Sequence, residues 1–205
     1  MPVSKRILTG LLAGVLMTAS GWLAADEAAQ ALVVDNTQAV LADLKENRDK
    51  VANDPGYIRE LIEKRIVPHL DFGIMTALAL GRKHWKAASG DQRKALVTQF
   101  RHLLLNTYSK SLAEYRDQRI EFLPFEASSK KGRAVVRSRF YPSGGQAVGV
   151  DYSLRDKNGW KIYDITIDGI SLVKNFRSSF DGEIQQHGID GLIKSLQDKN
   201  ENLGS

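Results

Sequence analysis

Residues 160–196 read WKIYDITIDGISLVKNFRSSFDGEIQQHGIDGLIKSL. As far as Ile167, apolar and polar side chains alternate with the period of two that a half-buried strand requires. The pattern breaks at Asp168-Gly169, two residues that tolerate the backbone of a tight turn. Beyond the break the run continues as two helical segments separated by Gly188. One stretch therefore holds the last strand of a sheet and the helices that follow it, which sets the frame for the rest of the chain.

Upstream, the period of two recurs three times. Residues 146–155 alternate Val148, Val150, Tyr152 and Leu154 against Ala147, Gly149, Asp151 and Ser153. Residues 132–141 alternate Ala134, Val136, Ser138 and Phe140 against Arg133, Val135, Arg137 and Arg139. Residues 120–125 read as a further strand, limited by Pro124, since proline cannot donate to a ladder. Within residues 160–168 the alternation sets Tyr163, Ile165 and Ile167 opposite Ile162, Asp164 and Thr166. Turn chemistry separates the strands: Pro142-Ser143-Gly144-Gly145 in one gap, and residues 156–159 with the hairpin dipeptide Asn158-Gly159 in the other. Tight turns between successive strands predict four antiparallel strands.

Before the strands the period is 3.6. Residues 28–51 read as a helix through Val33, Val40, Leu44 and Val51. Asn53-Asp54-Pro55 closes it and opens a second, because aspartate caps a helix well and proline suits its first turn. The second helix, residues 56–67, offers Tyr57, Ile58, Leu61, Ile62 and Ile66 and ends at Pro68. A third, residues 71–80, is apolar almost all round and stops at Gly81. Ser89, three residues before Gln92, forms a capping box for the longest helix, residues 91–116. Its stripe is Val97, Phe100, Leu104, Tyr108, Ser111 and Tyr115, widened by Leu96, Leu103 and Leu112. Residues 199–205 are polar and read as a flexible tail. The fold class is α+β, a helical layer packed on a four-stranded antiparallel sheet with C-terminal helices.

The N-terminus has the form of a signal peptide over residues 1–25: a basic Lys5-Arg6, an apolar stretch over residues 7–17, then small residues. Cleavage after Gly21 satisfies the small-x-small rule with Ala19; cleavage after Ala25 leaves Leu23 at the third place. As an uncleaved anchor, residues 7–23 reach only the low end of the roughly 17–25 residues a spanning helix needs, and they include Thr18 and Ser20. Removing residues 1–25 takes two of the 29 basic residues and none of the 24 acids, leaving a surplus of three positive charges. That is not the concentrated basic footprint of a nucleic-acid binder. Residues 26–198 then make a single domain. The chain has no cysteine, so neither disulfides nor lipid attachment at a cysteine can act in it. A domain of about 180 residues buries on the order of 70% of its unfolded surface without such help.

Little in the sequence points to a reaction or a metal. His69, His84, His102 and His187 share no metal-ligand spacing, and no cysteine assists them. Gly169-Ile170-Ser171 lacks the closing glycine of a nucleophile elbow. Gly144-Gly145 is a turn, because no lysine and helix start follow it. Asp164 and Asp168 share a strand face, but four residues at ~3.3 Å each separate them by about 13 Å, beyond the roughly 5–9.5 Å of a two-carboxylate hydrolase. Arg133, Arg137 and Arg139 read either as a solvated sheet face or as a docking patch for an acidic partner. Trp85, between Lys83 and Lys86, reads as a corner residue or a membrane-interface contact. The apolar inventory is larger. The sheet offers Val136, Phe140, Val148, Val150, Tyr152, Ile165 and Ile167; the helices offer Met75, Leu78, Val97, Phe100, Leu104 and Tyr108. These residues serve equally as a plain core or as the walls of a tunnel, and periodicity alone does not separate the two.

An ordered set of short runs narrows the choice. In the first half it comprises Pro68-His69-Leu70-Asp71-Phe72, Ala79-Leu80-Gly81, Trp85-Lys86-Ala87-Ala88 and Gln92-Arg93. In the second it comprises Trp160, Tyr163-Asp164, Asp168-Gly169-Ile170-Ser171-Leu172, Asn175-Phe176-Arg177, Phe180 and Gly188-Ile189-Asp190-Gly191-Leu192. In this order and spacing the chain resembles the MlaC family, also called the toluene-tolerance auxiliary family, over nearly all of its mature length. The resemblance implies a helical layer over a curved sheet, related to the nuclear-transport-factor-like cone. It implies a periplasmic, non-enzymatic carrier of phospholipid, with the acyl chains between the layers and the head group near the mouth. The thirteen apolar residues given above for sheet and helices are then the expected lipid-binding walls. No cofactor or metal is expected, only the lipid as cargo. Expected partners are an inner-membrane ABC transporter with an MCE-domain subunit and an outer-membrane lipoprotein–porin complex; the carrier itself is expected to be a monomer. Two other readings stay open: an isomerase- or dehydratase-type enzyme on a similar cone, needing an acid or base inside it, and a structural adaptor with a filled interior.

Overall fold

Tight turns lay the strands down in sequence order. In the computed structural model, which describes residues 20–115, 118–126 and 128–204, β1 (Arg119–Phe122), β2 (Arg133–Tyr141), β3 (Val148–Asp156), β4 (Trp160–Ile167) and β5 (Ile170–Ser171) form one sheet. Their spatial order is β1-β2-β3-β4-β5, with every pair antiparallel. Four strands were expected; β5 is a fifth, of two residues. Asp168 and Gly169 both hold positive φ, 46° and 80°, as the two central residues of the tightest hairpins do. The chain therefore folds back, pairing Thr166 with Ser171 and Ile167 with Ile170. Asn158 and Gly159, with φ of 64° and 103°, turn β3 into β4 in the same way.

The alternation along β4 is interrupted. Val150 pairs with Ile167 and Tyr152 with Ile165, but Leu154 pairs with Ile162, the register shifting between Ser153 and Leu154. This bulge inserts one residue, so Ile162 and not Tyr163 joins Leu154 in the interior. Both are buried, whereas the Tyr163 ring meets the Arg133 guanidinium at 4.8 Å. The strict period of two had grouped Tyr163 with Ile165 and Ile167.

The helices are α1 (Ser20–Glu46), α2 (Arg48–Asn53), α3 (Pro55–Leu61), α4 (Phe72–Ala87), α5 (Gly90–Ala113) and α6 (Leu172–Gly204). Residues 1–19 of the expected leader lie outside the described residues. Asn47 divides the expected helix of residues 28–51 into α1 and α2. The helix expected over residues 56–67 is α3 followed by a widened π-helical turn, Ile62–Ile66, and a 3₁₀ turn, Val67–His69. Pro68 accounts for this, since it cannot donate to the carbonyl four residues back and its ring would clash there. The caps read at Asp54 and Ser89 form, Asp54 accepting from the Gly56 amide and Ser89 closing a capping box with Gln92, and Asp71 caps α4 by accepting from the Ile74 amide. Gly81 (φ 74°, ψ 162°) breaks α4 after Leu80, and helix resumes to Ala87. Gly188 (φ 72°) kinks α6. Past that kink α6 stays helical through the polar residues read as a tail, where the Asn200 amide donates to two oxygens of Gln99, at 2.9 and 3.0 Å.

Burial falls into three clusters. Helices α4, α5 and α6 pack around Phe100, whose ring meets Phe176 and Phe180 edge-on at 5.0 and 5.4 Å. Ala29 and Val33 of α1 cover Ala134, Val136, Leu154 and Ile162 of the sheet. Val40 and Leu44, further along α1, pack with Ile58, Leu61 and Ile62. A domain usually holds one contiguous core; here something keeps three apart.

Candidate functional site

The clusters meet around a space that none of them fills. Leu41 walls it from α1, and Ile62 and Ile66 from the widened turn. Leu70, Met75, Leu104, Leu105, Leu112 and Leu172 wall it from the remaining helical layer, and Ile120, Phe140, Ile165 and Ile167 from the sheet. Its volume is about 600 Å³, within the roughly 300–1,000 Å³ of ligand pockets. Polar groups collect where α5 ends: Ser109, Ser111, Glu114, Tyr115 and Gln118. There the Tyr115 hydroxyl donates to the Gln118 carbonyl at 3.2 Å. Burial raises the Tyr108 phenol above its ordinary value, so at neutral pH it lines the wall as an uncharged group. Tyr108 and Ile167 are each 40% exposed, and Ile170, paired with Ile167, is 65% exposed. Large apolar side chains thus run from the interior to the rim.

Met75, Leu104, Tyr108, Phe140, Ile165 and Ile167 were expected on such a wall and line it. The other seven lie elsewhere. Phe100 is fully buried in the three-helix cluster, with Leu78 and Val97 packed against it. Val136 is buried beneath α1, with Tyr152 against the same cluster. Val148 and Val150 are half-buried on β3, outside the lining. For Val136 and Tyr152 the reason is α1, which covers that half of the sheet's inner face and leaves the half with Phe140 and Ile167 open. Of the lining residues not anticipated as such, Ile62, Ile66, Leu112 and Tyr115 already stood on apolar helix faces, but the sequence carried no mark that those faces bordered a void.

The carboxylates of the tempting pair have structural work. Asp164, 8% exposed, accepts from the Ser171 hydroxyl at 2.6 Å and the Val173 amide at 3.2 Å, which ties β4 to the start of α6. Asp168 accepts from the Gly149 amide at 2.8 Å. His84 pairs with Asp181 at 2.6 Å, and that bond holds the Asp181 carboxyl below its ordinary value. Trp85 sits in the corner between α4 and α5 with the Arg93 guanidinium 5.4 Å from its ring. In the basic row, Arg137 pairs with Glu126 at 2.6 Å and Arg133 stacks on Tyr163. Among the described residues, no group of three or more His, Asp or Glu is placed to hold a metal, and no helix is long and apolar enough to cross a membrane.

Comparison with known proteins extends this geometry. The family described as MlaC protein matches residues 34–198. An intermembrane phospholipid transport system binding protein of Haemophilus influenzae is 25% identical over 195 residues, covering 93% of this chain and 90% of that protein. A toluene tolerance protein of Pseudomonas putida is 27% identical over 160 residues, covering 78% of this chain and 74% of its own. A phospholipid-binding protein from Ralstonia solanacearum, solved in complex with a phospholipid, superposes with a TM-score of 0.78 at 34% identity, over 86% of this chain and 99% of that one.

Proposed function

The chain belongs to the MlaC family, and from that premise we propose that it is a phospholipid carrier shuttling glycerophospholipid between outer and inner membranes through the periplasm. Phospholipid binding and transport is the activity that family membership and the phospholipid-bound Ralstonia solanacearum structure support. The observation that carries the reading is the open apolar space of about 600 Å³ between sheet and helices. Each methylene moved from water into such a space contributes about 0.8 kcal/mol, so acyl chains drive their own enclosure. The names of the Haemophilus influenzae relative and the Ralstonia solanacearum neighbour point to phospholipid transport and binding.

In this account the thirteen expected residues divide by role. Met75, Leu104, Tyr108, Phe140, Ile165 and Ile167 touch acyl chain, and the other seven hold the walls in place. Residues 1–25 serve as a signal peptide and residues 26–198 as the lipid-binding domain. The carrier is a monomer that receives and delivers lipid at an outer-membrane lipoprotein–porin complex and an inner-membrane ABC transporter with an MCE-domain subunit, which helps maintain outer-membrane asymmetry. Delivery requires a partner that binds an open form of the cavity better than the closed one.

Native mass spectrometry and lipid extraction of the washed protein test the proposal. One chain is expected to carry phospholipid and to exchange it with vesicles. A protein that neither carries nor accepts phospholipid sinks the reading.

A further inference from the structure

We propose that the phosphate of the bound lipid leaves the cavity sideways, into a groove between α2, α3 and α5, where Arg59 and Lys110 hold it. This placement rests on the carrier reading above and adds to it the position of the charge.

Two adjoining spaces carry opposite charge. Among the described residues, the one charged group lining the 600 Å³ cavity is the Glu114 carboxylate, which disfavours a phosphate at that end. Beside the cavity lies a groove of about 450 Å³ whose charged lining residues, among those described, are Arg59 and Lys110, both cations. Neither is paired with a carboxylate among the described residues. Ile62, Leu105 and Ser109 line both spaces, so the two adjoin across a single seam of side chains that is half-open at Ser109. The groove is also amphiphilic. Its floor includes Ile58 and Leu203, the latter 36% exposed, while Asn106 and Ser109 add polar atoms beside the cations. An apolar floor with a cationic edge fits a ligand that joins an anionic group to a greasy body, which is a phosphodiester lipid at its glycerol end. A guanidinium recognises phosphate oxygens in a planar fork and an ammonium adds a point charge. Each such exposed contact is worth about two- to five-fold in binding, and the pair together about tenfold, falling as salt screens them.

Head-group spin-labelled phosphatidylcholine, taken up from vesicles by the whole protein, locates the charge. Paramagnetic broadening of backbone amides is expected to centre on residues 56–59 and 106–110. Broadening centred on Glu114, Gln118 and Pro142, with the groove amides sharp, overturns the placement. The double variant Arg59→Gln, Lys110→Gln is expected to retain lipid about tenfold more weakly at low salt and to lose the salt dependence of the wild type. If it matches the wild type, the placement fails while the carrier reading stands. A wild-type protein that takes up no lipid overturns both. Inorganic phosphate, added alone, is expected to leave the groove amides unshifted; shifts matching those of the lipid would mean a free-anion site instead.

Discussion

At Gly81 helix α4 turns through φ 74°, and the carbonyl of Leu78, freed by the break, accepts both donors of the Arg177 guanidinium at 3.2 and 2.6 Å. The positive φ and the bidentate bond explain why these two residue types stand far apart in the chain yet act together. A Cβ at position 81 would meet Arg177 Nε at an ordinary 3.6 Å, so Gly81→Ala costs backbone strain and not a clash, about 1–3 kcal/mol. In a domain of this size each 1 kcal/mol shifts Tm by roughly 2–4 °C, which calorimetry resolves, and lipid content is expected to stay unchanged. Asp164→Ala removes the acceptor that both the Ser171 hydroxyl and the Val173 amide use. A buried group left unsatisfied costs about 1–3 kcal/mol, read as a lower urea midpoint. Asp181 gives a pH dependence. Its carboxyl is held below the ordinary value by its bond to His84, so the contribution is present above the unfolded carboxylate pKa of about 3.9 and is lost as pH falls through the lower folded value. The urea midpoints of wild type and Asp181→Asn are therefore expected to converge as pH drops from 5 toward 2; a constant gap counts against the pairing.

Helices and strands were legible wherever each carried its own period and punctuation. The capping box at Ser89, the cap at Asp54 and the turn at Asn158-Gly159 all formed as read. Three local events were not legible, because a neighbour and not the segment itself decides them. The bulge at Tyr163 depends on how β3 pairs, β5 depends on a hairpin only two residues long, and the π-helical turn depends on Pro68 ahead of it. The fingerprint runs behave differently again. Gly81 with Arg177, Gln92 with Asp190 at 2.8 Å, and Asp164 with Ser171 are joints between elements, so recognising them identified a scaffold more readily than a binding surface. This divides the expected site residues. Ile167→Arg, at a half-open lining position, is expected to lower lipid loading at least tenfold with Tm changed by only a few degrees. Phe100→Leu, in the three-helix cluster, is expected to lower Tm by several degrees and leave loading intact. Loading by vesicle exchange and Tm by calorimetry separate the two; the reverse pattern means the wrong wall has been assigned.

The interior as a whole has the form of a container completed by its contents. Three buried clusters border one space, and Tyr108 and Ile167 on its wall are each 40% exposed. A close-packed protein would collapse such a gap, because voids forfeit dispersion contacts and leave apolar surface wet. Here the walls belong to differently braced units. Helices α4, α5 and α6 are locked by the Phe100–Phe176–Phe180 contacts, the sheet is spanned by its ladder, and α1 lies across one end. A lipid filling the gap binds the folded state alone and so stabilises it by mass action, about 2.7 kcal/mol at a hundredfold excess over Kd. For a chain of this length that corresponds to roughly 5–11 °C in Tm. Stripping lipid is therefore expected to lower Tm by that amount, and adding it back to restore Tm saturably. The loss should be uneven. Amide exchange is expected to quicken along α1 and the turn at Ile62–Ile66, which face the cavity from one side, while α4, α5 and α6 keep their protection around Phe100. Equal melting and equal exchange for stripped and loaded protein would mean that the walls stand without cargo, and that the separation of the three clusters has another cause.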